Sequence, residues 1–102
     1  MASALHDERL IRREILRVLD INYDNEVNVE TISMVLMRER YVLTDQEIRQ
    51  HLAYLADKGY VQRRDLRHGV LGQAVVAKLT AAGKDLIEGN VDPDPGICTT
   101  RP

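Results

Sequence analysis

Thr44, Gln46, Arg49 and Gln50 lie close together in the stretch LTDQEIRQHLAYLADKGYV, Leu43 to Val61, and their types suit the reading of base edges. An arginine can bond guanine O6 and N7 with two N–H groups, and a glutamine can do likewise on adenine. Arg49 and Gln50 are the leading candidates; Gln46 follows, and Thr44 has a competing use as a helix cap. A second group follows at Arg63, Arg64 and Arg67. Between Gln62 and Lys78 four basic residues stand against one acid, Asp65, in a chain whose formal net charge is -2. Such residues can neutralise phosphate, each phosphate adding about 0.9 to the steepness of the salt dependence. The plainer reading of both groups, polar residues on a solvated helix face and hairpin tip, stays open. Asp45 would repel phosphate unless it reads a cytosine amino group or faces away, and Glu47 suits capping better than reading.

Other chemistries lack their residues. His6, His51 and His68 share no ligand spacing, and Cys98 is a lone thiol without a neighbouring base. A nucleophile needs an activating partner and a metal site needs several ligands. No phosphate-cradling glycine loop is present, so neither an enzyme nor a metal or cofactor site is expected. His51 reads as a partly buried packing residue and His68 as exposed.

These side chains need a scaffold. Leu43 to Val61 predicts a helix: Thr44 and Glu47 form a T-x-x-E capping box, Ile48, Leu52 and Leu55 make an apolar stripe with Ala56 beside it, and Gly59 is a stop. An earlier helix is expected from Asp7, with Ile11, Ile15, Val18, Leu19 and Asn22 on its inner face and Leu16 widening it. Asp7 and Glu8 suit its positive end, and Arg9, Arg12, Arg13 and Arg17 read as a solvated face. Asn22 to Asn28 supplies turn residues, and Val27-Asn28-Val29 could add a brief strand. Asn28 is a possible cap for a second helix, about Val29 to Arg38, with Ile32, Val35 and Leu36 inward and Met34 and Met37 as gap-filling core. The short link from Arg40 to Leu43 makes the second and third helices a helix-turn-helix.

Beyond Gly59 the period changes. Tyr60 to Arg64 and Gln73 to Leu79 read as two strands of a hairpin, joined by a loop around His68 with Gly69 and Gly72. Thr80 caps a last helix, Ala81 to Glu88, which Gly89 ends, with Leu86 and Ile87 inward. The expected fold is mainly α with a small β-hairpin, a winged helix-turn-helix of three-helix core, wing and C-terminal helix over residues 1-90. Residues 91-102, with three prolines, read as an extended tail that is ordered only if it docks.

At 102 residues, 44% of them apolar, the chain suits one domain with a modest core, and without Trp or Phe that core is aliphatic. No run approaches the roughly 20 apolar residues that span a bilayer, and no signal-peptide pattern opens the chain; a cytoplasmic location is the expectation. A single cysteine excludes an internal disulfide.

Two likenesses add to this reading. Ile48, Leu52, Leu55 and Gly59-Tyr60-Val61 resemble the third-helix signature of winged-helix regulators of the ArsR and MarR groups, and Leu79-Thr80-Ala81-Ala82-Gly83 is similar to their L-T-x-x-G step. More narrowly, Arg49, Leu52, Leu55, Gly59, Val61, Leu79-Thr80, Gly83, Asp85, Gly89 and the ending Pro95-Gly96-Ile97 to Arg101-Pro102 resemble small winged-helix proteins of Mu-like phages and prophages. The resemblance implies a sequence-specific transcription regulator on double-stranded DNA, a homodimer through its first and last helices, with the third helix in a major groove and the wing on the backbone. The metal sensing of many ArsR proteins does not carry over, because no cysteine lies near the third helix. Acids at Asp45 and Glu47 and the acidic total support an alternative, a winged helix that binds a phage protein in assembly or packaging.

Overall fold

A computed structural model describes residues 7–67 and 73–98, with only the backbone of Arg67 and Gln73. The elements are α1 (Glu8–Ile21), β1 (Val27–Asn28), α2 (Val29–Arg38), α3 (Asp45–Asp57), β2 (Val61–Arg67), β3 (Gln73–Leu79) and α4 (Ala81–Glu88). The loop expected around His68, with Gly69 and Gly72, lies outside the described residues, as do His6 and the last residues of the tail.

Each helix starts where a short polar side chain can satisfy backbone N–H groups that the helix itself leaves unpaired. Asp7, Asn28, Thr44 and Thr80 accept from the N–H of Arg9, Thr31, Glu47 and Gly83 respectively. At α3 the capping box is complete: Glu47 N–H donates to Thr44 Oγ1 at 3.1 Å, and Thr44 N–H donates to Glu47 Oε1 at 2.9 Å.

The sheet order is β1-β3-β2, all antiparallel, so the apolar strand is the middle one. In β3, Val75, Val76, Ala77 and Leu79 are all buried, which explains an apolar run without alternation. Val27 pairs with Ala77 and Asn28 with Val76, so the two residues of β1 close the inner edge before Asn28 caps α2. The outer edge strand, β2, carries Arg63 and Arg64, charges that also deter edge-to-edge pairing.

Two junctions meet, α3–β2 at Gly59-Tyr60 and β3–α4 at Thr80. Thr80 N–H donates to Tyr60 O at 3.0 Å and Thr80 Oγ1 donates to Gly59 O at 2.6 Å. The same hydroxyl accepts from Gly83 N–H at 3.1 Å. A Cβ on Gly83 would overlap the Tyr60 carbonyl oxygen, so α4 can start this close to the end of α3 only through glycine. The spacing L-T-x-x-G therefore has a physical reason here.

The core is aliphatic and shared by all elements: Ile11, Ile15, Leu16 and Leu19 of α1, Ile32 and Leu36 of α2, Ile48, Leu52 and Leu55 of α3, and Leu86 of α4. Three expectations are corrected. Met34 and Met37 are exposed, because Val29, Ile32 and Leu36 already fill the inner side of α2. Asn22 is exposed and ends α1 as its C-cap, donating from Nδ2 to Val18 O at 2.9 Å. Arg12 does not join a solvated face; its side chain is 15% exposed. Helices, capped turns and a hairpin in this order form a winged helix-turn-helix.

Three helices end the same way: α4 stops at Gly89, and α3 and α2 differ from each other in the residue they use. After α3, Gly59 N–H donates to Ala56 O and Tyr60 N–H to Leu55 O; after α2, Arg40 N–H donates to Met37 O and Tyr41 N–H to Leu36 O. Both are Schellman ends, which require a left-handed residue. Gly59 has φ 83° and Arg40 φ 69°, so α2 holds an arginine where glycine is unstrained. Arg40→Gly is expected to stabilise the fold by roughly 0.5–1 kcal/mol, and Gly59→Ala to destabilise it by about 1 kcal/mol. Urea midpoints at unchanged m-value check both; equal shifts in one direction contradict the strain assignment.

Candidate nucleic-acid interface

The first half of α3 presents Gln46 and Gln50 to solvent, with Asp45 exposed beside them. Arg49 is half-buried, and its Nε is shielded from solvent without a hydrogen-bond partner. Ile48, His51, Leu52 and Leu55 fix the other side of the helix in the core, so the orientation of these polar residues is set by packing. Asp45 and Glu47 occupy the first turn, where the helix dipole favours negative charge. Thr44 is engaged by the capping box, which limits what its hydroxyl can do elsewhere.

On the hairpin, Arg63 is exposed and makes no ion pair among the described residues. Arg64 differs: its Nε donates to Glu26 Oε2 at 2.8 Å and a second N–H to Glu26 Oε1, a two-pronged pair. The partner group first lowers the Glu26 pKa through the hydrogen bond from Arg64, and Arg64 is raised in turn by the same bond. Lys78 sits 3.9 Å from Asp24. Glu26, Arg63, Arg64 and Lys78 line a shallow groove beside β2, three cations and one carboxylate, of which only Arg64 pairs with Glu26. Arg67 lies at the far end of β2, backbone-paired with Gln73; its side chain is outside the described residues. The wing arginines and the α3 residues thus stand on successive elements, but only Arg63 is both described and unpaired on the wing.

A network under α3 had no local signal in the sequence. The Arg12 guanidinium lies 3.8 Å over the Tyr54 ring. It donates to Gly96 O at 3.0 Å, to His51 Nδ1 at 3.3 Å and to Glu8 Oε2 at 3.4 Å. The tail docks on this network. Ile97 is buried in the core, and Cys98 N–H donates to Arg9 O at 3.1 Å. Asp94 accepts from the Tyr60 hydroxyl at 2.8 Å and from Gly96 N–H at 2.7 Å, with Lys58 Nζ at 3.6 Å. Burial alone would raise the Asp94 pKa, but the Gly96, Tyr60 and Lys58 contacts together outweigh it and hold the carboxyl below its ordinary value. Burial and the Asp94 bond push the Tyr60 phenol up to about 12. The docked tail therefore braces the C-terminal half of α3 against α1.

Among the described residues, no three His, Cys, Asp or Glu gather as metal ligands, and no helix is long and apolar enough to cross a membrane.

Comparison with known proteins supports the fold. No family model matches this chain, and no curated protein matches it. A crystal structure of Bacillus subtilis PadR in complex with operator DNA superimposes with a TM-score of 0.63 at 20% identity, over 92% of this chain and 54% of that one. This chain thus spans about half the length of that protein, and at such identity the likeness concerns the fold.

Two outcomes follow from the network. Cys98 is the chain's single cysteine and reports on tail docking. Asp94→Ala is expected to cost roughly 1–3 kcal/mol of stability and to speed Cys98 labelling by a thiol reagent under native conditions. An unchanged labelling rate would show that Asp94 does not hold the tail. His51 is held neutral, first by burial and then by the Arg12 charge, which lower its pKa. Its stabilising contribution is therefore complete above the unfolded value of about 6.5 and is lost as pH falls through the folded one. Wild-type urea midpoints should decline as pH falls below about 6.5, and His51→Gln should remove most of that decline.

Proposed function

We propose that the chain is a sequence-specific binder of double-stranded DNA and acts as a transcription regulator. The single observation that carries the reading is the α3 face: Gln46 and Gln50 are exposed and Arg49 half-buried along the helix start, outside the buried set that fixes its orientation. In a helix-turn-helix that half of the second helix meets base edges in the major groove. Arg49 and Gln50 are the proposed base readers, Gln46 supports them, and Thr44 contributes at the helix start. Arg63 would take backbone phosphate directly. Arg64 would have to exchange Glu26 for phosphate, and Arg67 extends the same strand.

The fold shared with PadR, a protein solved on operator DNA, supports a nucleic-acid role. A homodimer on a two-fold-symmetric site, a cytoplasmic setting without catalysis or cofactor, and a phage or prophage origin complete the proposal; the last rests on the residue likenesses alone.

A second reading is favoured by the same face. Asp45 is exposed at the helix start and Glu26 neutralises part of the wing. Both suit a protein partner, such as a phage assembly or packaging component, better than a polyanion.

Selection of duplexes from a random pool, followed by titrations at several salt concentrations, separates the two. Arg49→Ala is expected to cost about 1–3 kcal/mol of discrimination between the selected duplex and random ones. Arg63→Ala should weaken binding to all duplexes alike and flatten the log–log salt slope by about 0.9. Absence of any selected duplex, or an Arg49→Ala variant that discriminates as wild type does, favours the protein-partner reading.

A further inference from the structure

The outer side of α2 is apolar in the middle and oppositely charged at its ends. Met34 is 59% and Met37 52% exposed. Glu30 stands four residues before Met34 and Arg38 four residues after it, so one side of the helix carries all three. Both charged residues are exposed, and neither joins an ion pair among the described residues. The order acid, methionine, base is its own complement when the helix is reversed. A two-fold axis at Met34 sets Glu30 of each copy against Arg38 of the other and brings the methionines together at the centre.

We infer that this side of α2 is a self-association surface whose occupant is a second copy of the chain, packed antiparallel. Symmetry supplies the matching charges and the matching apolar centre from one sequence, as an isologous contact requires. A helix of 10 residues is about 15 Å long. Its outer side falls short of the roughly 800 Å² per partner of a stable complex, so the association is weak and concentration-dependent. It uses neither α3 nor the hairpin, and it stands or falls without DNA.

The charges have a plainer use: an acid in the first turn and a base in the last also suit the dipole of α2 itself. Charge reversal separates the two uses. Sedimentation equilibrium of the full chain from about 10 μM to about 1 mM is compared for wild type, Glu30→Arg, Arg38→Glu and the double variant. Each single reversal puts two like-charged pairs across the interface and is expected to weaken association at least tenfold; the double variant restores it to near wild type. Thermal unfolding should rank the same proteins differently, with the double variant least stable because both charges then oppose the dipole. Met34→Lys, at an exposed position, should abolish the concentration-dependent step of association, leaving any tighter dimer through other helices in place and stability nearly unchanged. A wild type whose mass, monomeric or dimeric, stays constant across this range, or an association step that ignores these reversals, overturns the inference.

Discussion

Everything in this fold is referred to the crossing of Gly59-Tyr60 by Thr80. One threonine donates through its backbone to Tyr60 O, donates through its hydroxyl to Gly59 O, and accepts from Gly83 N–H. These bonds tie the end of α3 and the start of β2 to the end of β3 and the start of α4. They add fixed polar contacts to the apolar packing that α3 and the hairpin share through Leu52, Leu55, Val61 and Leu79. The tie also explains the glycines on each side: Gly59 takes a left-handed turn, and Gly83 leaves room for a carbonyl oxygen. The crossing and the shared core together hold α3 and the hairpin at one angle.

The second constraint is Arg12. Buried cations are costly unless fully paired, and Arg12 meets that condition through an aromatic ring, a carbonyl, an imidazole nitrogen and a carboxylate. Because one of those partners is Gly96 O, the tail is part of the support of α3. Asp94 repeats the pattern from the tail's side with Tyr60, Gly96 and Lys58. Stability and the placement of the candidate interface are thus coupled through residues that would touch no ligand.

Charge placement divides between folding and recognition. Glu47 is consumed by the capping box, and Glu26 engages Arg64. On α3 and the hairpin, the polar side chains left without an ion pair among the described residues include exposed glutamines, a half-buried arginine with an unpartnered Nε, and Arg63. A small net negative charge is compatible with that set, because recognition depends on the local arrangement and not on the total.

Helix starts, helix stops and the central strand were legible in the residues, because caps, glycine ends and apolar stripes act over a few positions. The chain's own pattern placed α2 at Val29–Arg38, α3 behind the Thr44 box and β3 at Gln73–Leu79. Which polar and flexible residues would be covered was not legible. Met34 and Met37 sit on a helix whose inner side was already full, and Arg12 is largely covered only because Tyr54, His51 and Gly96 arrive from elsewhere. The pairing of Arg64 with Glu26, far apart in sequence, likewise depends on β1 and β2 flanking β3. Local sequence determines where elements begin and end because their unpaired backbone groups are satisfied locally. Which side chains stay free for a partner is decided by tertiary packing, because burial and charge pairing join residues that no local pattern connects.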